Sequence, residues 1–315
     1  MPVPASAGAP RCFLCSQGEP RIVSEFPVAA LLRSWAHFGV KFSSGALGCL
    51  RGATKLELLE CRGCGFRFFD PELAGTGEFY GELQKQIGSY YAEQRPEFCW
   101  VLKNARLDSG KVFDIGCGGG AFLDLARSTG LETYGMELNG AAAEVATKSG
   151  HTVFRTASIP PELNGNFDLL TAFQVVEHLP DPVGLLRNYM SLLRPGGLLA
   201  ITVPHEKGVA RICPWDPHQW PPHHLSRWRV GDLIELGRRC GIVAEKTGAD
   251  PLVGGELFHF WKLHNALAAE TGKPPLPGKS WLPWIVSFVI RKTGAKHFLR
   301  SGPSIYCLYR NQPPR

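Results

Sequence analysis

Val112-Phe113-Asp114-Ile115-Gly116-Cys117-Gly118-Gly119-Gly120-Ala121-Phe122-Leu123 decides the fold. Four residues of apolar, strand-like pattern run into a cluster of glycines, and the chain then resumes with helix-like spacing. Glycines between a strand and a helix let the backbone approach a ligand closely. The helix start adds free N–H groups and the positive end of a dipole. Seventeen positions after Gly120 comes Glu137, at the end of the next apolar run, where nucleotide-binding sheets carry the carboxylate that meets ribose hydroxyls.

Working outward, the alternation continues. Strands are predicted over residues 112–115, 133–136, 152–154, 167–173 and 198–203, with helices over 121–128, 141–148 and 183–193 between them. A helix over 230–240, a strand over 242–246 and a last strand over 304–309 complete the series. Regular strand–helix alternation builds a parallel sheet with helices on both faces. Upstream, residues 78–107 read as helical, from Phe79, Leu83, Ile87, Tyr90 and Tyr91, and a helix is expected within 26–38.

The motifs D-I-G-C-G-G-G, Y-G-M-E, F-D-L-L-T-A-F-Q-V-V-E-H-L and L-L-R-P-G-G-L-L-A-I-T-V-P resemble the ordered motifs of class I S-adenosylmethionine-dependent methyltransferases. The resemblance covers about residues 90–250 and the final strand. It implies an α/β, Rossmann-like seven-stranded sheet whose last strand is antiparallel. It also implies that Gly116, Gly118 and Gly120 line the methionine moiety, Glu137 holds the ribose, and Asp114 orients the loop or the cofactor's amino group. Many family members carry an Asp after the third strand, against adenine. Here Arg155-Thr156-Ala157-Ser158 stands there, with Ser158 as the substitute. The rival cofactor, a nicotinamide dinucleotide, is disfavoured by Asp114 and by the later Glu-His and Pro-Gly-Gly segments.

The chain has 315 residues, with 44% hydrophobic and 20% charged, a composition that excludes global disorder. No apolar run is long enough to span a bilayer, and the N-terminus lacks the pattern of a signal peptide, so a cytoplasmic location is expected. The +6 net charge is concentrated: residues 255–315 hold nine Lys/Arg against two Asp/Glu, and the remainder is close to neutral. A general nucleic-acid surface is therefore not expected.

Of ten cysteines, four form two Cys-x-x-Cys pairs, Cys12/Cys15 and Cys61/Cys64. Two such pairs can close a tetrahedral Zn²⁺ site, with Gly65 suiting the tight turn of a knuckle. Four thiolates leave no open position, so the expected role is structural, clipping a small N-terminal zinc-ribbon-like domain that has little core of its own. The layout resembles the zinc-binding segment preceding the methyltransferase domain in bacterial natural-product and polysaccharide-cluster enzymes. The expected division is residues 1–75 (zinc segment), 76–107 (linking helices), 108–253 with 303–315 (methyltransferase domain) and 254–302 (insertion or lid).

Methyl transfer chiefly needs positioning, and a base only where the acceptor must lose a proton. Glu177 and His178 follow the fourth predicted strand of the sheet, and His223 and His224 follow the fifth, so both pairs can face one cleft at the carboxyl edge. Glu177, His178 and His224 are the catalytic candidates. A general base with its partner, a second divalent metal site and a purely structural loop are all open readings. Ubiquinone-pathway O-methyltransferases and small-RNA terminal 2′-O-methyltransferases have a comparable Glu-x-x-Glu-His segment that binds a divalent metal. Its first position is Gln174 here, a poorer ligand for a hard cation, and Gln174 is grouped instead with the cofactor-facing residues.

In the insertion, ten mostly apolar residues (281–290) precede Arg291, Lys292, Lys296, His297 and Arg300. That pattern suits either a lid with a solvated basic face or contact with a membrane surface or anionic lipid-linked substrate. The expected activity is methyl transfer to oxygen or carbon of a small-molecule acceptor: a sugar, a secondary metabolite or a lipid-linked intermediate. An RNA methyltransferase and a non-catalytic zinc-ribbon interaction protein are the alternatives.

Overall fold

The structure is a computed structural model that describes residues 10–17, 19–87, 95–208, 214–250, 254–271, 274–278, 285, 288–289 and 302–311. Its centre is a seven-stranded sheet of β4 (Gly110–Ile115), β5 (Leu131–Met136), β6 (Thr152–Phe154), β7 (Phe167–Phe173), β8 (Leu193–Pro204), β10 (Val243–Ala249) and β11 (Ser304–Arg310). The spatial order is β10-β11-β8-β7-β4-β5-β6. Strands β6 to β8 across the sheet are parallel, while β11 runs antiparallel to both β8 and β10. The order reverses between β4 and β7, and the chain leaving β4 is the glycine run, so the crevice expected of open α/β sheets lies at that run.

Alternation along β4 feeds two apolar layers. Phe113 and Ile115 pack into one core with Phe167, Leu199 and Tyr309, while Val112 packs on the other face with Phe98, Phe122 and Leu198. Helix α4 (Ala121–Ser128) starts at Gly120, whose φ of 90° is open to glycine without strain. An alanine Cβ there would meet His151 Cδ2 at 2.9 Å. Helix α5 (Gly140–Lys148) is capped by Asn139, whose side chain accepts from the N–H groups of Ala141 and Ala142. Helix α6 (Pro182–Met190) is capped by Asp181, accepting from Gly184.

The predicted helical stretch 78–107 is two helices, α2 (Gly77–Gln86) and α3 (Pro96–Ala105). The first ends at Ile87 in extended backbone, and the second begins where Arg95-Pro96 imposes an extended residue before helix. Tyr90 and Tyr91 lie outside the described residues. Likewise the helix expected within 26–38 is the end of β1 (Pro20–Pro27) followed by α1 (Val28–His37).

A second sheet has the order β1-β2-β3-β9, with β2 at Lys55–Cys61, β3 at Arg67–Phe68 and β9 at Ser226–Arg227. Its last strand thus comes from beyond β8, far along the chain from the other three. Phe26, Leu31, Trp35, Leu56 and Phe79 form a buried core beside it, closed by Trp220. This core is larger than the composition of residues 1–75 suggests, because Trp220 and α2 supply part of it. Helix α7 (Val230–Arg239) covers β10 and β11, and helix α8 (Gly254–Thr271) of the insertion touches α1. Most of 281–300 lies outside the described residues, and among those described no helix is long and apolar enough to cross a membrane.

Candidate active site

The glycine loop is fixed from below by two bonds to one carbonyl: the N–H groups of Gly116 and Cys117 donate to Met136 O at 2.8 and 3.0 Å. Gly116, Gly118 and Gly120 all have positive φ (75°, 55° and 90°). The loop is then held laterally by Glu137. Its Oε2 accepts from Gly118 N–H at 2.9 Å and its Oε1 from Asn139 N–H at 2.7 Å. A carboxylate has about four lone-pair directions, so two remain for ligand hydroxyls. Asp114 lies buried beneath, accepting from the Thr171 hydroxyl at 2.7 Å, and burial pushes its carboxyl up to about 8. A cavity of about 1600 Å³ opens beside the loop, lined by Gly116, Gly118, Asn139 and Phe173, with Gln84 of α2 and Arg95 closing over it. Leu138, between Glu137 and Asn139, is an apolar side chain 66% exposed.

The chain after β7 turns at Val175, which abuts Gly116, and brings Glu177 and His178 to the carboxyl edge. Glu177 is fully buried, neither carboxyl oxygen has a hydrogen-bond partner among the described residues, and burial pushes it up to about 8. His178 Nε2 lies 3.8 Å from Glu177 Oε1 and His224 Nε2 lies 3.9 Å from the same atom. Burial lowers the imidazoles: His178 to about 4, His223 and His224 well below their ordinary range. Burial thus disfavours charge on each of these groups, and the Nε2 atoms of His178 and His224 converge on one carboxyl oxygen of Glu177. The histidine segment is tied down at both sides. Leu225 N–H donates to Glu177 O at 2.8 Å, and Phe69 N–H, just past β3, donates to Leu225 O at 2.8 Å.

Among known families, the methyltransferase domain matches residues 84–243. The chain belongs to the class I S-adenosylmethionine-dependent methyltransferases. It is 28% identical to a ubiquinone biosynthesis O-methyltransferase of Xanthomonas euvesicatoria over 192 residues, 55% of this chain and 76% of that protein. A Xanthomonas oryzae protein of the same name is 27% identical, over 45% of this chain and 70% of its own length. Among solved structures, a chain of the complex between the Haloferax volcanii Trm112 methyltransferase activator and its methyltransferase partner aligns with a TM-score of 0.50 and 16% identity. That alignment covers 75% of this chain and 96% of the other, a likeness of fold.

In this methyltransferase the N-terminal cysteines gather. The four Sγ atoms of Cys12, Cys15, Cys61 and Cys64 lie within 4.8 Å of one another, with Cys12–Cys64 at 3.6 Å and Cys15–Cys61 at 3.5 Å. Four thiolates about 2.3 Å from one Zn²⁺ stand about 3.8 Å apart, so the set matches that ion in number, chemistry and size. Each knuckle ends in a left-handed residue, Ser16 (φ 57°) and Gly65 (φ 73°), which turns the chain back over the sulfurs. Burial pushes the Cys12 thiol up to about 11, so thiolates here call for a cation to balance them.

Two residues grouped with the cofactor, Ser158 and Gln174, are not among those lining the cavity beside the glycine loop. Ser158 is exposed, in a turn where its N–H donates to Thr156 Oγ1 at 3.2 Å. Gln174, in left-handed backbone at φ 55°, donates its amide toward Thr202 Oγ1 and Ser304 Oγ at 3.3 Å and Glu97 Oε1 at 3.5 Å. It braces β7 against β8, β11 and α3. Conversely, sequence reading passed over Arg95 and Gln84 on the cavity and Tyr80 beside His178. All three precede the glycine motif by at least twenty residues, and only an Arg-Pro helix start marked any of them.

Proposed function

We propose that the enzyme transfers a methyl group to the oxygen of a small-molecule acceptor, with His178 taking the acceptor's proton. The observation that carries this reading is the convergence of His178, His224 and Glu177 on the carboxyl edge, one turn of chain from Gly116. S-adenosylmethionine, when bound, supplies an electrophilic methyl carbon on a sulfonium. Gly116, Gly118 and Gly120 would cradle its methionine part, Glu137 would take the ribose hydroxyls with its two spare lone pairs, and Leu138 would meet the base. Asp114 braces the loop from beneath. Lys85 and Arg95 both line the cavity and could meet a ligand carboxylate.

A neutral imidazole lone pair at the reacting edge accepts the hydroxyl proton as the oxygen is methylated, and the imidazolium returns that proton to solvent once the product has left. An acceptor carbon with an acidic C–H would use the same base. A divalent metal is the second reading: His178, His223 and His224 offer ligand atoms within 4.8 Å of one another, whereas the Gln174 side chain is engaged with Thr202, Ser304 and Glu97 and adds no ligand. The four-thiol cluster would hold a structural Zn²⁺. The ubiquinone-pathway relatives favour a small acceptor over RNA, and so does the near-neutral charge outside residues 255–315.

The test gives the purified enzyme methyl-labelled S-adenosylmethionine and an extract of its source cells, then partitions the label between butanol and water. Label in butanol indicates a lipid-linked or apolar acceptor; label in water indicates a sugar or other polar one. His178→Ala should cut incorporation by at least about a hundredfold while S-adenosylhomocysteine binds as before. Full incorporation by that variant rejects the base assignment, and failure of the parent to bind S-adenosylhomocysteine revives the non-catalytic reading.

A further inference from the structure

His178 and His224 look equivalent in the sequence, each a histidine beside Glu177. Their other ring nitrogens are not equivalent. His178 Nδ1 lies 2.6 Å from the carbonyl oxygen of His223 and 3.0 Å from the hydroxyl of Tyr80, and that hydroxyl lies 2.9 Å from the same carbonyl. A carbonyl oxygen brings only lone pairs, so a nitrogen 2.6 Å away must bring the proton. The hydroxyl proton then has one acceptor left in this triangle, the carbonyl, and the phenol oxygen offers its lone pair to the Nδ1–H. This triangle thereby favours the Nδ1–H tautomer, with the lone pair on Nε2, the atom facing Glu177; the backbone of Gln174 is the other main-chain partner at the ring. His224 Nδ1 is buried and has no hydrogen-bond partner among the described residues, so none of them selects its tautomer in this way.

We propose that Tyr80 is the positioning residue of the proton acceptor: it locks His178, and not His224, with a free Nε2 lone pair at the reacting edge. Tyr80 is delivered by α2, before the start of the matched methyltransferase region at residue 84. That helix is pinned to the histidine segment at its own origin, where Gly75 N–H donates to Pro222 O at 2.9 Å and Thr76 caps the first turn. The N-terminal part of the chain thus places a hydroxyl against His178 in addition to anchoring the histidine segment through β3. This inference deepens the reading of His178 as base and rests on it for its function, although the tautomer can be measured without any acceptor.

The experiment is long-range ¹H–¹⁵N correlation NMR on the full chain labelled at histidine, with the His178 signals identified by their loss in His178→Gln. At neutral pH the parent protein should show His178 with a protonated Nδ1 and an imine-like Nε2. In Tyr80→Phe the tautomer ratio should shift about fivefold toward Nε2–H, the effect of one hydrogen bond, with S-adenosylhomocysteine affinity unchanged. A parent spectrum with Nε2 protonated overturns the proposal outright, whether or not the variant folds. A parent with Nδ1–H and an identical Tyr80→Phe spectrum overturns the role of Tyr80. Either result is separate from the fate of the base reading, which His178→Ala decides.

Discussion

The glycine loop and the histidine site lie on neighbouring strand ends, yet they are built in opposite ways. Most of the bonds that shape the loop close within residues 114–139; those that leave it are Asp114 to Thr171, Glu137 N–H to Phe154 O and the Asn139 side chain to Gln84. The histidine site draws Tyr80 from α2, Glu177 and His178 from the turn after β7, and His223 and His224 from a segment paired to β3. Between β3 and the cysteines there is no further linker, since Cys61 ends β2 and Cys64 precedes β3 by two residues. A site closed by short-range bonds can tolerate damage elsewhere; a site strung on a second sheet cannot. The two regions should therefore separate under mutation.

The largest separation is expected from Cys61→Ser in the full chain. Losing one of four ligands should drop bound zinc from about one ion per chain to near none, removing several kcal/mol from the segment it clips. Because β3 pairs with β9, His223 and His224 lose their anchor, and methyl incorporation should fall to background. S-adenosylhomocysteine affinity, measured by calorimetry, should fall by less than about tenfold, since the loop's own bonds are untouched. Equal loss of binding and turnover would erase the distinction drawn between the regions.

The converse is Glu137→Ala. It removes a carboxylate that accepts from Gly118 and Asn139, together with its spare lone pairs for the ligand. Hydrogen bonds to a charged group are worth about 1.5–3 kcal/mol each, so S-adenosylhomocysteine should bind roughly a hundredfold more weakly. Zinc content and the Tyr80–His178 tautomer signature should stay as they are. A change in either would mean that the loop also shapes the histidine site.

The same contrast governs what the sequence discloses. The strand–helix alternation, Gly116 to Gly120 and Glu137 are legible because strand–turn–helix signals are local and repeat with a period, whereas the seven-stranded count and the antiparallel last strand follow only from the resemblance to class I methyltransferases. Cys12, Cys15, Cys61 and Cys64 are legible as two pairs, and their meeting follows from soft-ligand chemistry. What sequence spacing does not carry is β9, two residues long, and with it the fact that the N-terminal sheet is finished from residues 226–227. Pairing at such separation leaves no periodic trace. Tyr80 was hidden for the same reason, and Gln174 turned toward β8 and β11 because its left-handed backbone redirects the side chain.

The smallest effect reads the electrostatics of the histidine site alone. Glu177 has a folded-state value of about 8 against an ordinary carboxylate value in the unfolded chain, because burial without partners disfavours its charged form. The native state then holds a proton that the unfolded state releases above the ordinary carboxylate range. The stability this group contributes is complete below about pH 4.3 and declines as pH rises toward about 8, with a slope of at most about 1.4 kcal/mol per pH unit. Glu177→Gln keeps the shape and removes the proton. Chemical denaturation from pH 5 to pH 8 should therefore show a flatter pH dependence in the variant, and an advantage over the parent that grows with pH. An unchanged slope would mean that Glu177 is already ionised in the folded protein, with His178 or His224 carrying its proton. The resting site would then be an ion pair, and the imidazole concerned would have no lone pair to offer the acceptor until that proton left.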